Sequence, residues 1–234
     1  FQRPSFKFRG RKSPLTLTVG ILVITGVLFT ALSGFYADWL WFKSVDFTST
    51  WSTILGTKIF LFFVTGLLTA SIVLANVWIA YKRRPLYVSM TMESDNLERY
   101  RSQVEPIRRS LFIGGFVALF YFAGTSGSTL WSSWLLFKNS TDFGVKDPQF
   151  NMDISFFAFR LPFWQTIIGW GISTLVLAII ASTVVHYLYG GIRLQVQEDR
   201  TTVAARLQLS VLLVGVVLLK SDAYWFDRFA LALK

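Results

Sequence analysis

Residues 59–81 read IFLFFVTGLLTASIVLANVWIAY, a stretch without a single charged side chain. An α-helix rises about 1.5 Å per residue, so about 20 apolar residues cross the hydrocarbon core of a bilayer. The stretch is long enough to cross and longer than the apolar run of an ordinary buried helix. It therefore predicts a transmembrane helix, and with it the fold class.

The same pattern recurs along the chain, at residues 15–36, 111–137 and 161–189. A fifth stretch, 202–225, reaches the required length only if Arg206 and Lys220 extend their charged ends towards the two membrane surfaces. We therefore expect an all-α, polytopic transmembrane helical bundle with about five spans.

The composition supports this class and excludes several functions. The chain is 53% hydrophobic and 15% charged, whereas soluble domains carry about 25% charged residues. It has no cysteine, which excludes disulfides and thiol catalysis, and one histidine, His186, which leaves few ways to build a metal site. We expect no catalytic residue, no cofactor and no metal. The net charge of +10 follows from membrane topology, so nucleic-acid binding is not predicted.

The basic residues are unevenly divided between the two sets of loops. Segments 1–14, 82–110 and 190–206 together carry fifteen lysines and arginines, whereas segments 37–57 and 138–160 carry four. Positively charged loops stay in the cytoplasm, so the N-terminus is predicted to be cytoplasmic and residues 226–234 to lie outside. The expected localisation is the bacterial plasma membrane, with multiple spans.

The cytoplasmic loop 82–110 contains the signature of a helix. Asp95 followed by Glu98 is typical of a helix start, and apolar residues from Leu97 to Leu111 then fall on one face. This favours an interfacial helix on the inner leaflet. A charged connector that only sets topology is the alternative, and Pro106 argues against a long helix.

The outer loop 138–160 is the most distinctive stretch of the chain. Its core and the start of the fourth span, residues 147–162, read DPQFNMDISFFAFRLP, an aromatic segment between two prolines that is too short to span. Asp147 and Asp153 alternate with other polar residues as in a calcium loop, but Met152 replaces the required glycine and Ala158 the glutamate. We expect this segment to pack on the helix ends beneath a partner.

Aromatic residues also end the first and fifth spans at the same predicted side. An aromatic belt at the headgroups explains such residues, and a shared outer surface is the sharper alternative. The predicted outer interaction surface consists of Asp147, Phe150, Asp153, Phe156, Phe157, Trp39, Trp41 and Trp225. Lys58 lies within the predicted outer half of its helix, so we expect it to pair with Asp38 or Asp222.

Several motifs carry a resemblance to a known family. DPQF at 147–150, DISFF at 153–157 and LPF at 161–163 resemble a signature of uncharacterised protein family 0182, which consists of bacterial polytopic membrane proteins. DWLWF at 38–42, NLERY at 96–100 and YWFDRF at 224–229 resemble further stretches of it in the same order. The resemblance implies that this chain is truncated, because family members continue into further spans, a large extracytoplasmic domain and an acidic tail. It implies no established activity.

Three functions are compatible with this pattern. The first is an anchoring or scaffold subunit of a cell-envelope assembly, with membrane lipid, an envelope protein or the missing ectodomain as partners. The alternative is a transporter or lipid-handling channel, although the first four spans place no ionisable residue at mid-depth. The third is an intramembrane enzyme using Ser126 and His186, whose predicted depths differ by far more than the about 3 Å that proton transfer requires.

Overall fold

The computed structural model describes residues 14–85, 92–193 and 200–230. Within these ranges the chain forms six α-helices and one π-helical turn, and no β-strand. The elements are α1 (Pro14–Ser44), α2 (Thr48–Lys82), α3 (Met92–Ser128), α4 (Trp131–Lys138), the π-turn (Phe156–Arg160), α5 (Leu161–Leu188) and α6 (Val203–Ala230).

Five of the helical segments are long and apolar enough to cross a membrane: Thr18–Ser44, Thr48–Lys82, Leu97–Ser128, Phe156–Leu188 and Val203–Phe229. The prediction of an all-α fold with about five spans is therefore confirmed. Most helices extend beyond the predicted spans, because apolar length marks the portion of a helix inside the bilayer and not its ends.

The first compact unit ends at residue 55 and contains α1 and the start of α2. Asp46 takes a left-handed conformation, with φ +57°, and the N–H of Phe47 donates to the carbonyl of Phe42 at 2.9 Å. This six-to-one hydrogen bond is the usual way to end a helix and start a turn. The rings of Phe35 and Trp51 then meet edge to face at 5.0 Å, which holds α1 against the first turn of α2.

The second unit, residues 56–234, contains the rest of the described chain. Helices α5 and α6 run antiparallel, and Val73 of α2 joins Ala178 and Leu212 in a buried cluster between them. Polar groups join the same helices: Trp170 Nε1 donates to Thr69 Oγ1 at 3.1 Å, and Thr69 Oγ1 lies 3.4 Å from Thr174 Oγ1. Packing and hydrogen bonds together fix these helices, as in other membrane bundles.

Helix α3 packs closely on α2 through glycines. A Cβ at Gly66 would come within 2.6 Å of the Phe120 carbonyl oxygen, and one at Gly124 within 2.8 Å of the Phe62 carbonyl oxygen. Gly127 lies against Thr65, whose hydroxyl donates to the carbonyl of Ala123 at 3.1 Å. Small residues are therefore required here because the two backbones touch.

The second helical hairpin differs from its predicted boundaries. The predicted span 111–137 is divided, because α3 ends at Ser128 and α4 starts at Trp131. The hydroxyls of Ser128 and Thr129 donate to backbone carbonyls one turn earlier, at 2.8 and 2.7 Å, and such bonds compete with helix propagation. At its other end, α3 begins at Met92 and continues through Pro106, so the predicted interfacial helix and the span are one helix.

Candidate functional site

The loop between α4 and the π-turn, residues 139–155, is called the cap here, and the carboxylate of Asp153 holds it together. The side chain accepts hydrogen bonds from the N–H groups of Phe143 at 3.1 Å, Gly144 at 2.9 Å and Ser155 at 2.8 Å. These bonds stabilise the ionised form and lower the pKa of Asp153 to about 2, the bond from Ser155 contributing most. Asp153 is thus occupied within its own loop.

Asp147 has a similar role near the start of the same hairpin. Its Oδ2 accepts hydrogen bonds from the N–H groups of Gln149 at 2.9 Å and Phe150 at 2.7 Å. Lys146 and Asp153 form an isolated antiparallel bridge, and the N–H of Asp147 donates to the carbonyl of Met152 at 2.8 Å. The two predicted site aspartates therefore shape a compact hairpin. Within the described ranges, no three histidine, aspartate or glutamate side chains converge as a metal site would need.

Aromatic residues join the cap to the end of α6. Phe157, Leu161 and Phe229 form a buried cluster, against which Phe150 and Phe156 pack. The ring of Phe229 lies 5.1 Å from that of Phe150 and 5.4 Å from that of Phe156, at edge-to-face angles. The predicted site residues Phe150, Phe156 and Phe157 thus come together in one aromatic cluster where the cap, the π-turn and the end of α6 meet.

The exposed apolar surface of the cap is formed by residues that are not among the predicted site residues. Phe143 is 52% exposed, Val145 56% and Ile154 43%. Ile154 donates its N–H to the carbonyl of Val145 at 3.0 Å, so these two residues are neighbours across the hairpin. The alternation of Phe143, Gly144 and Val145 is the signal that could have identified them, because a short extended hairpin turns alternate side chains outwards.

The remaining predicted site residues are not part of this hairpin. Trp225, at the end of α6, is exposed, and the guanidinium of Arg228 covers its ring at 3.4 Å. Trp39 and Trp41 belong to the first unit, where Trp39 stacks on Tyr36 at 5.7 Å and Trp41 is exposed.

Lys58 is placed against an aromatic ring. Its Nζ lies 5.4 Å from the ring centroid of Trp131. The ion pairs seen among the described residues involve Glu105 with Arg84 and Arg108, and neither Lys58 nor Asp222 belongs to them. A cation over a tryptophan face is stabilised without an acid. The pairing of Lys58 with Asp38 or Asp222 stays a prediction.

At the opposite end of the second unit, Glu105 of α3 collects a cluster of tyrosines and arginines. Tyr81 donates to its Oε1 at 2.7 Å, Tyr189 donates to its Oε2 at 2.9 Å, and Arg108 donates to Oε1 at 2.7 Å. Arg84 approaches the same carboxylate at 3.7 Å. We call these five residues the Glu105 cluster; they join α2, α3 and the end of α5.

The arginines of this cluster also stack on its aromatic rings. The guanidinium of Arg84 lies 4.3 Å from the ring centroid of Tyr81, and that of Arg108 lies 4.7 Å from the same ring. Glu105 lies within the predicted interfacial helix, whose pattern gave no sign of the cluster. A carboxylate among arginines, with tyrosines near the ends of two spans, is the signal that was available.

A third polar contact lies inside the bundle. His186 is buried, and its Nε2 lies 3.0 Å from Oε1 of Gln208. Nε2 of Gln208 donates in turn to the carbonyl of Asn76 at 2.9 Å and to Ser182 Oγ at 3.4 Å. His186 thus faces α6, and this contact accounts for the imidazole. Ser126, the suggested nucleophile, is exposed on α3.

These features define an all-α protein whose described residues include five helices long and apolar enough to span a membrane. Its second unit carries the cap at one end and the Glu105 cluster at the other. Residues 15–234 match the model of the uncharacterised protein family UPF0182, and the chain belongs to that family.

Curated relatives carry the same description. The chain is 44% identical to a UPF0182 protein of Streptomyces coelicolor over 232 residues, which is 99% of this chain and 23% of the relative. A UPF0182 protein of Salinispora arenicola is 44% identical over 96% of this chain and 22% of its own length. One from Thermobifida fusca is 42% identical over 94% of this chain and 22% of its own length. The chain thus spans less than a quarter of these relatives. No solved structure matches it.

Proposed function

We propose that this chain is the membrane-embedded anchor of a bacterial cell-envelope protein, with its N-terminus in the cytoplasm. In this proposal, the cap binds the extracytoplasmic portion of the family-length polypeptide. The orientation follows from the division of basic residues between alternate loops. It places the cap and the end of α6 on the outer side of the membrane.

The observation that carries this proposal is the exposure of Phe143, Val145 and Ile154 on a hairpin that is internally hydrogen-bonded. A loop that only lies in the headgroup region does not need a fixed shape. Here Asp153 and Asp147 fix the shape with side-chain-to-backbone bonds, and apolar residues remain on its surface. Exposed apolar residues held in one geometry favour a protein interface.

The occupant that we favour is the remainder of the family-length protein. The curated relatives are more than four times as long as the segment that this chain matches, so most of each relative lies outside it. Phe229, close to the end of α6, is packed into the aromatic cluster of the cap. A following segment on the outer side would therefore emerge next to the hairpin.

Site-specific photo-crosslinking in the family-length protein tests this proposal. A benzoylphenylalanine at Val145 or Ile154 should form crosslinks to the polypeptide outside residues 1–234, identified by mass spectrometry after proteolysis. Val203 is the matched control, since it is an apolar residue, 78% exposed, at the other end of α6. Crosslinks from Val145 only to lipid would contradict the proposal and show that the cap is an interfacial anchor. Crosslinks only to another protein would show that this protein, and not the rest of the polypeptide, binds the cap.

A further inference from the structure

A cavity of about 440 Å³ lies between α2, α3 and α5, next to the Glu105 cluster. Most of its lining is apolar, including Trp78 from α2, Phe112 from α3 and Val185 from α5. Its polar lining comes from Tyr81, Arg108, Arg109 and Tyr189. Leu74 of α2 and Ile113 of α3 also line the cavity, at positions about one to two helical turns away from these polar residues. The cavity is therefore cationic at one end and apolar along the helices.

The charges around this cavity favour an anion. Arg108 and Arg109 line it, and Glu105, the acid nearby, is paired with Arg84 and Arg108. The Glu105 carboxylate repels an anion, but both of its oxygens are already bonded to tyrosine and arginine donors. Arg109 lines the cavity and belongs to none of the ion pairs formed by the described residues.

Arg101 provides an independent sign of an absent acceptor. Its Nε donates to the carbonyl of Leu188, the last residue of α5, and its guanidinium lies 5.9 Å from the ring of Tyr189. Its Nη2 is buried and has no acceptor among the described residues. A buried guanidinium nitrogen without an acceptor is costly. Arg101 does not itself line the cavity, but it adds an uncompensated positive charge at this end of the unit.

We propose that this cavity binds one anionic phospholipid of the inner leaflet, with its phosphate at Arg108 and Arg109. An acyl chain would then follow the apolar lining past Trp78 and Phe112. A free inorganic anion would leave this lining uncovered, and a zwitterionic lipid would bring a second cation to a cationic rim. Basic cavities between transmembrane helices on the cytoplasmic side are suited to acidic lipid headgroups. The site is at the opposite end of the unit from the cap; its placement in the inner leaflet rests on the proposed orientation, whereas the binding of an anionic lipid by the cavity can be tested without it.

Lipid titration of the intact protein in detergent tests the site. Phosphatidylglycerol and phosphatidylcholine with identical acyl chains are compared by native mass spectrometry and by the thermal unfolding midpoint. We expect phosphatidylglycerol to bind and stabilise. Arg109→Gln should weaken this binding by about tenfold, as the loss of a charge-assisted hydrogen bond does. Arg99→Gln makes the same charge change at an exposed position of α3 and should leave binding unchanged.

Further variants and probes separate the alternatives. Val104→Phe keeps every charge and fills some of the cavity, so it should also weaken phosphatidylglycerol binding. Equal binding of phosphatidylcholine would overturn the proposal, as would equal losses in Arg109→Gln and Arg99→Gln. Inorganic phosphate that stabilised the protein as much as phosphatidylglycerol would show that a free anion is the ligand.

Discussion

Nε2 of His186 and Oε1 of Gln208 lie 3.0 Å apart, which makes the one histidine of the chain a contact between α5 and α6. Gln208 extends the contact to Asn76 of α2 at 2.9 Å. One glutamine thus joins α2, α5 and α6. Its contacts lie inside the bundle, where water is scarce and an unpaired polar group is costly.

Gln208→Ala should therefore lower the stability of the protein by about 1–2 kcal/mol, because His186 and Asn76 lose a shared partner. The midpoint of thermal unfolding in detergent measures the effect. Gln165→Ala is the control, since its side chain makes a single long bond, 3.4 Å, to Asp227 at the helix end. Equal losses in the two variants would show that the buried contact contributes nothing specific.

Gly127→Ala should also destabilise the protein, by about 1–3 kcal/mol, because the new methyl group would overlap Thr65 where α2 and α3 touch. Gly114→Ala is a matched control on the same helix, where a Cβ meets no atom within 4 Å. That variant should be neutral. Similar unfolding midpoints for both variants would contradict the close approach of the two helices.

The cap should open at low pH. The pKa of Asp153 is lowered from 3.8 to about 2 in the folded hairpin, so its contribution to stability is present above pH 4 and is lost as the pH falls towards 2. Hydrogen exchange at the N–H groups of Gly144 and Ser155, corrected for the intrinsic rate, should show protection that falls across this window.

Two variants test whether Asp153 causes this pH dependence. Asp153→Asn should remove it, because no carboxylate titrates at that position. Asp142→Asn, a neighbouring carboxylate that accepts a 3.2 Å bond from the Ser155 hydroxyl, should leave it in place. If Asp153→Asn showed the same fall in protection as the unaltered protein, another group would be responsible.

The proposed orientation can be measured directly, because the chain has no cysteine of its own. Single cysteines at Ser49 and Ser140 should react with an impermeant maleimide in intact cells. A cysteine at Ser94 should react only after lysis, since it lies in the predicted cytoplasmic loop. Labelling at Ser94 in intact cells would reverse the orientation, and with it the assignment of the cap to the outer side.

The spans were predictable because apolar length is a local property of the sequence. The interruption at Thr129 and Leu130 was not, since Leu130 and Trp131 continue the apolar run across it. The hydroxyls of Ser128 and Thr129 bond to backbone carbonyls one turn earlier at this point. The same type of bond occurs within an unbroken helix at Ser173, so the residue types alone do not mark the interruption.

The cap and the Glu105 cluster show where sequence patterns were insufficient. The sequence drew attention to Asp153 and Phe156 as surface residues, since they are conspicuous in a short loop. In the structure both are half-buried: Asp153 accepts hydrogen bonds from N–H groups of its own hairpin, and Phe156 packs against a cluster of rings. Glu105 depends on Tyr81 and Tyr189, which approach it from other helices and so leave no local signal.

The π-turn Phe156–Arg160 determines how the side chains next to the cap are rotated about the helix axis relative to those of α5. The N–H of Leu161 bonds to the carbonyl of Phe156, so the turn holds one residue more than an α-helical turn. Each residue of an α-helix advances the side-chain direction by about 100°. Without the extra residue, Phe157 would rotate away from Phe229 while the membrane-spanning portion of α5 kept its place. The wide turn therefore acts as a one-residue spacer. It lets Phe157 point towards Phe229 while the side chains of α5 keep the directions that their packing within the bundle requires.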